Sequence, residues 1–269
     1  RRNPIPPWGN VLEVNGKLIP AIVMGEGPDI VLIHGSSGNL RDYTTSIASE
    51  LANSYRVILF NCPGLGHLEK VTYLCDTPKD RARLLRDAVL MLGAKRRNFL
   101  GQSYGGSDAL AWVLEAKDDI GALVNVSCVS HPWTTDLGTY YKVTSHPYFG
   151  RARALYISAF APERLIKTSL KEAFAPQSPS QTHRQEFGVE LVLRKKTILA
   201  NARQRRILKQ QIIAQAPRYS ALTLPIEIIH GIEDTVVSPG VHAKALERGA
   251  QNAHLTFLEG IGHMPHHVA

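Results

Sequence analysis

The chain has 269 residues, 44% of them hydrophobic, a formal net charge of +8 and three cysteines. That composition supports one large domain, or a domain with an insertion, around a sizeable core. No run of about 18 apolar residues occurs, so no membrane-spanning helix is expected. Cys62, Cys75 and Cys128 have no metal-ligand or CxxC spacing, so reduced structural thiols and a cytoplasmic location are expected, although the opening Arg1 leaves a trimmed signal or anchor open.

In chain order, the first elements are VLEV (11–14) and KLIPAIVM (17–24), joined by Asn15-Gly16, a strong hairpin signal. Short, continuous apolar runs follow at 29–35, 55–61, 97–102, 121–129, 226–231 and 254–260. Strands buried on both faces read this way. Helices are expected between them, at about 40–53, 78–93, 104–117 and 239–250. Pro78 suits a first helical turn and Gly93 a helix end. A hairpin followed by repeated strand–helix units predicts an α/β fold, with a mostly parallel sheet and helices on both faces.

The alternation stops after about residue 131 and resumes at Leu224. We read 132–222 as a helical insertion, ending in a long helix at roughly 183–215, with 1–131 and 223–269 as the core. Residues 131–220 hold 15 Lys or Arg against 5 Asp or Glu, a net of +10, so the rest of the chain is net −2. This basic surface is either a solvated helix face or one that contacts anionic lipid peripherally or steers acidic ligands. Nucleic acid is not expected, because no binding motif accompanies the charge.

The sharpest motif is Gly101-Gln102-Ser103-Tyr104-Gly105-Gly106, between an apolar run and a small-residue helix. It fits G-x-S-x-G, in which a strained turn exposes the serine while the glycines let strand and helix press together. The turn puts Ser103 at the carboxyl edge of the sheet, where such folds bind ligands, and the N-terminal dipole of the next helix favours developing negative charge there. A serine hydroxyl needs a base. His263, just after the last strand, is that candidate, and Asp234, three residues past IEIIHG, is the acid that would orient it, with Glu233 as rival. The chain order Ser103, Asp234, His263 is the one expected of this architecture. Oxyanion donors would be the backbone N–H groups of Tyr104 and Ser36, with Ser37 second. His34 is expected to brace its loop by hydrogen bonds. His266 and His267 make a histidine-rich tract, but no carboxylate or cysteine lies near them in sequence, so no metal is expected.

Together, His34-Gly35, the 61–67 loop, the elbow at 101–106, His230-Gly231 with Asp234, and Gly262-His263 make the chain resemble the α/β-hydrolase fold family over nearly its whole length outside the insertion. The resemblance implies an eight-stranded sheet, a cap inserted after the sixth strand, and acyl-enzyme chemistry without a cofactor. Two departures stand out. Asn61 and Leu68 replace the family's usual Asp and Ser, and only six residues follow His263 where a closing helix is usual. A chain cut after that point is expected. Pro63-Gly64-Leu65-Gly66 lacks the third glycine of a dinucleotide fingerprint.

The fold hosts many chemistries. Serine as nucleophile argues against halide displacement and epoxide opening, which in this family use an aspartate. A small-molecule acyl substrate is expected, and esterase leads. Carbon–carbon bond hydrolase, cofactor-free haloperoxidase or perhydrolase, lactonase, and a small-molecule receptor that keeps the triad stay open. Ser37, Trp133 and Tyr140 are the expected pocket residues. The oligomeric state is not legible.

Overall fold

The computed structural model describes residues 10–65, 75–95, 97–116 and 120–268. Gly66 and His67 of the 61–67 loop, and Leu68 beside it, therefore lie outside the described residues.

Strands β1 (Asn10–Val14) and β2 (Lys17–Met24) form the expected hairpin. Asn15 and Gly16 both take positive φ, 51° and 71°, as a two-residue turn that follows the strand twist requires. Six more strands complete the sheet: β3 (Asp29–Ile33), β4 (Arg56–Phe60), β5 (Arg97–Gln102), β6 (Ile120–Val126), β7 (Ile226–Gly231) and β8 (Ala253–Leu258). Their order is β1-β2-β4-β3-β5-β6-β7-β8. Pairing is antiparallel for β1 with β2 and for β2 with β4, and parallel from β4 through β8. The sheet is thus eight-stranded and mostly parallel, as expected. From β3 the chain first adds β4 on one side and then β5 on the other. That reversal opens a crevice at the carboxyl ends of β3 and β5.

Both faces of the sheet are covered, which is why β3 and β4 carry unbroken apolar runs. On one face, Phe60, Phe99 and Leu123 pack with Leu85 and Val89 of α3 (Pro78–Met91) and Trp112 of α4 (Tyr104–Glu115). On the other, Leu32, Val57, Leu59 and Leu100 pack with Tyr43 of α1 (Arg41–Thr44) and Ala48 of α2 (Ala48–Leu51). Helix α3 starts where Thr77 Oγ1 accepts the N–H of Asp80 at 3.1 Å, with Pro78 next in line.

Between β6 and β7 the chain forms α5 (Thr139–Thr144), α6 (Gly150–Phe160), α7 (Glu163–Phe174), α8 (Gln181–Glu186), α9 (Val189–Val192) and α10 (Lys195–Gln215). The single long helix expected at 183–215 is broken twice. Gly188 takes a left-handed φ of 73°, and Arg194 is extended before α10 begins. The 21-residue α10 lies against α5 and α6 and reaches back to the core. Helix α11 (Ala243–Gly249) packs on β7 and β8. Among the described residues, no helix is long and apolar enough to cross a membrane.

Candidate active site

Strand β5 runs into α4 through Ser103, whose φ is 52° and ψ −117°. A non-glycine residue held there is strained, and the surroundings pin it. Its N–H donates to Val126 O at 2.9 Å, and its carbonyl accepts from Val129 N at 3.2 Å. The flanking glycines are required by contact. A Cβ on Gly101 would lie 2.7 Å from Gly106 Cα, and one on Gly105 would collide with the carbonyl oxygen of Ile33. Gly35, at the end of β3, faces Ser103 closely enough that a Cβ there would sit 3.1 Å from Ser103 Cβ.

Asp234 and His263 arrive from the loops after β7 and β8. Asp234 is buried whereas its rival Glu233 is exposed. Asp234 Oδ1 accepts the N–H groups of Val236 and Val237, each at 2.8 Å. Its Oδ2 accepts from His263 Nδ1 at 2.8 Å and from His230 Nε2 at 3.0 Å. Burial pushes this carboxyl up, but the bonds from His230 and His263, together with Val237 N–H, outweigh it and hold the group well below the usual carboxylate range. Asp234 is thus ionised, and its bond to Nδ1 leaves the Nε2 edge of His263 pointing away from the carboxylate. His263 Nε2 lies 3.3 Å from Gln102 Nε2, so the amide beside Ser103 occupies the edge of the ring that a nucleophile would use.

The loop after β3 is tied to the cap. Asn201 of α10 accepts from Ser36 Oγ at 2.6 Å and from Ser37 N at 3.2 Å, and donates to Ser37 Oγ at 2.7 Å. The N–H of Ser37 is therefore already used. His34 braces the same loop: its Nδ1 donates to Gly35 O at 2.9 Å and its Nε2 accepts from Cys62 N at 3.0 Å. Burial draws its pKa down to about 4, so it stays neutral in that role. Asn61, at the family's usual Asp position, accepts the N–H of Leu40 at 2.9 Å through Oδ1, a bond that a neutral amide makes as well as a carboxylate. The side chains of Cys62, Cys75 and Cys128 are all buried.

The side chain of Tyr104 is buried under the cap, with Arg81 Cζ 3.9 Å from its ring centroid. Arg81 in turn pairs with Asp108 at 2.6 Å, both side chains buried. Trp133 packs with Tyr104, Val129, Leu208 and Val237, between elbow and α10. Tyr140 lies elsewhere, on the exposed side of α5 and edge-to-face with Tyr141 at 5.0 Å.

Sequence distance concealed one cluster. Asp42 comes from α1 to meet the 3-10 turn Pro265–His267. Its oxygens lie 3.3 Å from His266 Nε2 and 2.9 Å from His267 Nε2. The carboxylate that the histidine tract lacked in sequence is thus supplied by the fold. Among the described residues these three are the donors placed closely enough to hold a metal ion. Here both Nε2 atoms bond Asp42 and tie α1 to the segment carrying His263. Sequence reading also missed His230, Asn201 and Gln102 as neighbours of the site. His230 stood in the IHG motif, but nothing in sequence put α10 in register with the β3 loop.

The chain belongs to the α/β-hydrolase fold family, whose model matches residues 28–269. A 2-hydroxy-6-oxononadienedioate/2-hydroxy-6-oxononatrienedioate hydrolase of Pseudomonas putida is 30% identical over 105 residues, covering 38% of this chain and 37% of that protein. The match therefore spans under two-fifths of the relative's length. Among solved structures, epoxide hydrolase CorEH superposes with a TM-score of 0.79 at 19% identity, covering 96% of this chain and 93% of that one. A meta-cleavage product hydrolase from Pseudomonas fluorescens IP01 gives 0.71 at 19% identity, covering 95% and 91%. At such identities the structural likeness concerns the fold.

Proposed function

We propose that this chain is a serine hydrolase that cleaves a carboxylic ester, or a related acyl bond, through an acyl-enzyme. Ser103 Oγ adds to the acyl carbonyl carbon while His263 Nε2 takes its proton. Asp234 stabilises the imidazolium through the Nδ1–H bond. The N–H groups of Tyr104 and Ser36 hold the oxyanion. When the intermediate collapses, the bond to the leaving alkoxide breaks and His263 returns the proton to it. Water, deprotonated by the same histidine, then releases the acid and frees Ser103. For Nε2 to meet Ser103, the Gln102 amide has to yield its place, a rotation about a flexible side chain. The observations that support the reading are the 2.8 Å bond between His263 Nδ1 and an Asp234 carboxylate that also accepts from His230, Val236 and Val237, and the strained backbone of Ser103 at the elbow.

A second reading, carbon–carbon bond hydrolysis, is supported by the names of the curated relatives. It uses the same triad on a ketonic carbonyl, with a carbanion equivalent as leaving group. Turnover of p-nitrophenyl esters of increasing acyl length, set beside turnover of a 2-hydroxy-6-oxo-dienoate, separates the two. Ester turnover that Ser103→Ala abolishes supports the first. Turnover of the dienoate alone transfers the assignment to the second. Ligand-induced stabilisation without turnover of either would mark a receptor.

A further inference from the structure

Helix α6 is apolar on its outer side as well as on the side packed inward. Gly150, Ala154 and Ile157 form its inner side, while Ala152, Leu155, Tyr156, Ala159 and Phe160 all face solvent. Tyr156 and Phe160 pair at 5.4 Å between ring centroids, each about two-thirds exposed. Arg151 and Arg153 stand at the two margins of this apolar face. Just before α6, Tyr148 is 82% exposed and Phe149 is exposed beside it. Isolated exposed apolar residues need no account, but a contiguous set does.

Helix α7 adds charge next in sequence. Arg164, Lys167 and Lys171 recur at helical spacing along one exposed line, with Lys167 also 2.8 Å from Glu163. Across residues 139–174, six Lys or Arg stand against two Glu.

We infer that α6 and α7 form a docking surface for an anionic lipid bilayer, with the aromatic face of α6 seated among the acyl chains and the basic line of α7 against the headgroups. Aromatic and aliphatic side chains flanked by arginine are the composition of interfacial helices. A second copy of the chain is the poorer occupant. A two-fold pairing through this face would bring two like-charged basic segments together, whereas an anionic surface complements them. The inference does not depend on which acyl bond the site cleaves.

The test is co-sedimentation of the full chain with vesicles. At low salt we expect binding to phosphatidylglycerol–phosphatidylcholine vesicles, about tenfold weaker binding to phosphatidylcholine alone, and loss of binding in high salt. The double variant Tyr156→Ser/Phe160→Ser and the triple variant R164E/K167E/K171E should each weaken binding about tenfold or more. Both are surface changes, so circular dichroism and turnover of a short soluble ester should match the unmodified chain. Absence of binding to the anionic vesicles at low salt, or binding that neither variant weakens, overturns the inference. Sedimentation velocity supplies the remaining outcome: a dimer that Tyr156→Ser/Phe160→Ser dissociates would give the face to a second copy instead.

Discussion

Ser103 as nucleophile and Ser36 as oxyanion donor would serve the same acyl-transfer step through different atoms, and this separates them experimentally. Ser103 contributes its hydroxyl, so Ser103→Ala should lower kcat on p-nitrophenyl esters by about a thousandfold or more. Ser36 contributes a backbone N–H that alanine retains, so Ser36→Ala should cost less than about tenfold even though its Oγ bond to Asn201 is lost. Equal losses at both positions would remove Ser36 from the oxyanion site as drawn. Ser37 makes its own case. Its N–H and Oγ both bind Asn201, so it acts in the link between loop and cap. A double-mutant cycle of Ser37→Ala and Asn201→Ala, read by thermal unfolding, should show a coupling of about 1 kcal/mol. Additive effects would mean that the clamp is not a unit.

At the scale of elements, the strand–elbow–helix unit depends on contact more than on propensity. Gly105 sits where α4 crosses the end of β3, and a methyl group there meets the carbonyl of Ile33. Gly105→Ala should therefore destabilise by at least about 3 kcal/mol. Gly93, after α3, has φ +70° and open space around it. Gly93→Ala should cost only the left-handed strain, about 1 kcal/mol. Comparing the two melting temperatures tests whether packing sets the elbow, since a shift at Gly105 no larger than that at Gly93 would remove the contact with Ile33 as its cause. The broken helix at 183–215 teaches the complementary lesson. Its polar and apolar spacing reads as continuous, but Gly188 turns left-handed and the chain restarts at Arg194. A glycine inside a helical pattern tells of a break only when the packing on either side is known.

For the whole molecule, buried neutral histidines govern the acid response. Burial draws His34, His183 and His242 down from 6.5 to about 4. Below their ordinary pKa the unfolded chain binds protons that the folded chain refuses. Stability therefore falls as pH drops from about 6.5 to about 4. Asp108 works the other way. Burial raises it to about 6, so its folded form gains a proton before its unfolded form does, but it is one group against three. The melting temperature should decline between about pH 7 and about pH 5. A flat profile would mean that these imidazoles are not held neutral.

Local signals in the sequence determined the strands, the hairpin, the elbow and the chain order of Ser103, Asp234 and His263. Each rests on residues within a few positions of one another: an apolar run, an Asn-Gly pair, glycines two residues either side of a serine. The basic excess between β6 and β7 was legible for the same reason, since charge is a property of composition. Tertiary structure alone decided what depends on distant segments meeting. It buried Asp234 against His263 and left Glu233 exposed, brought His230 to the same carboxylate oxygen as His263, and carried Asp42 to a histidine pair more than 200 residues away. It also placed Asn201 on the β3 loop and left the aromatic side of α6 facing outward. Spacing along the chain records which side of a helix is apolar. Whether that side meets core or solvent is set by the elements packed against it, and these come from elsewhere in the chain.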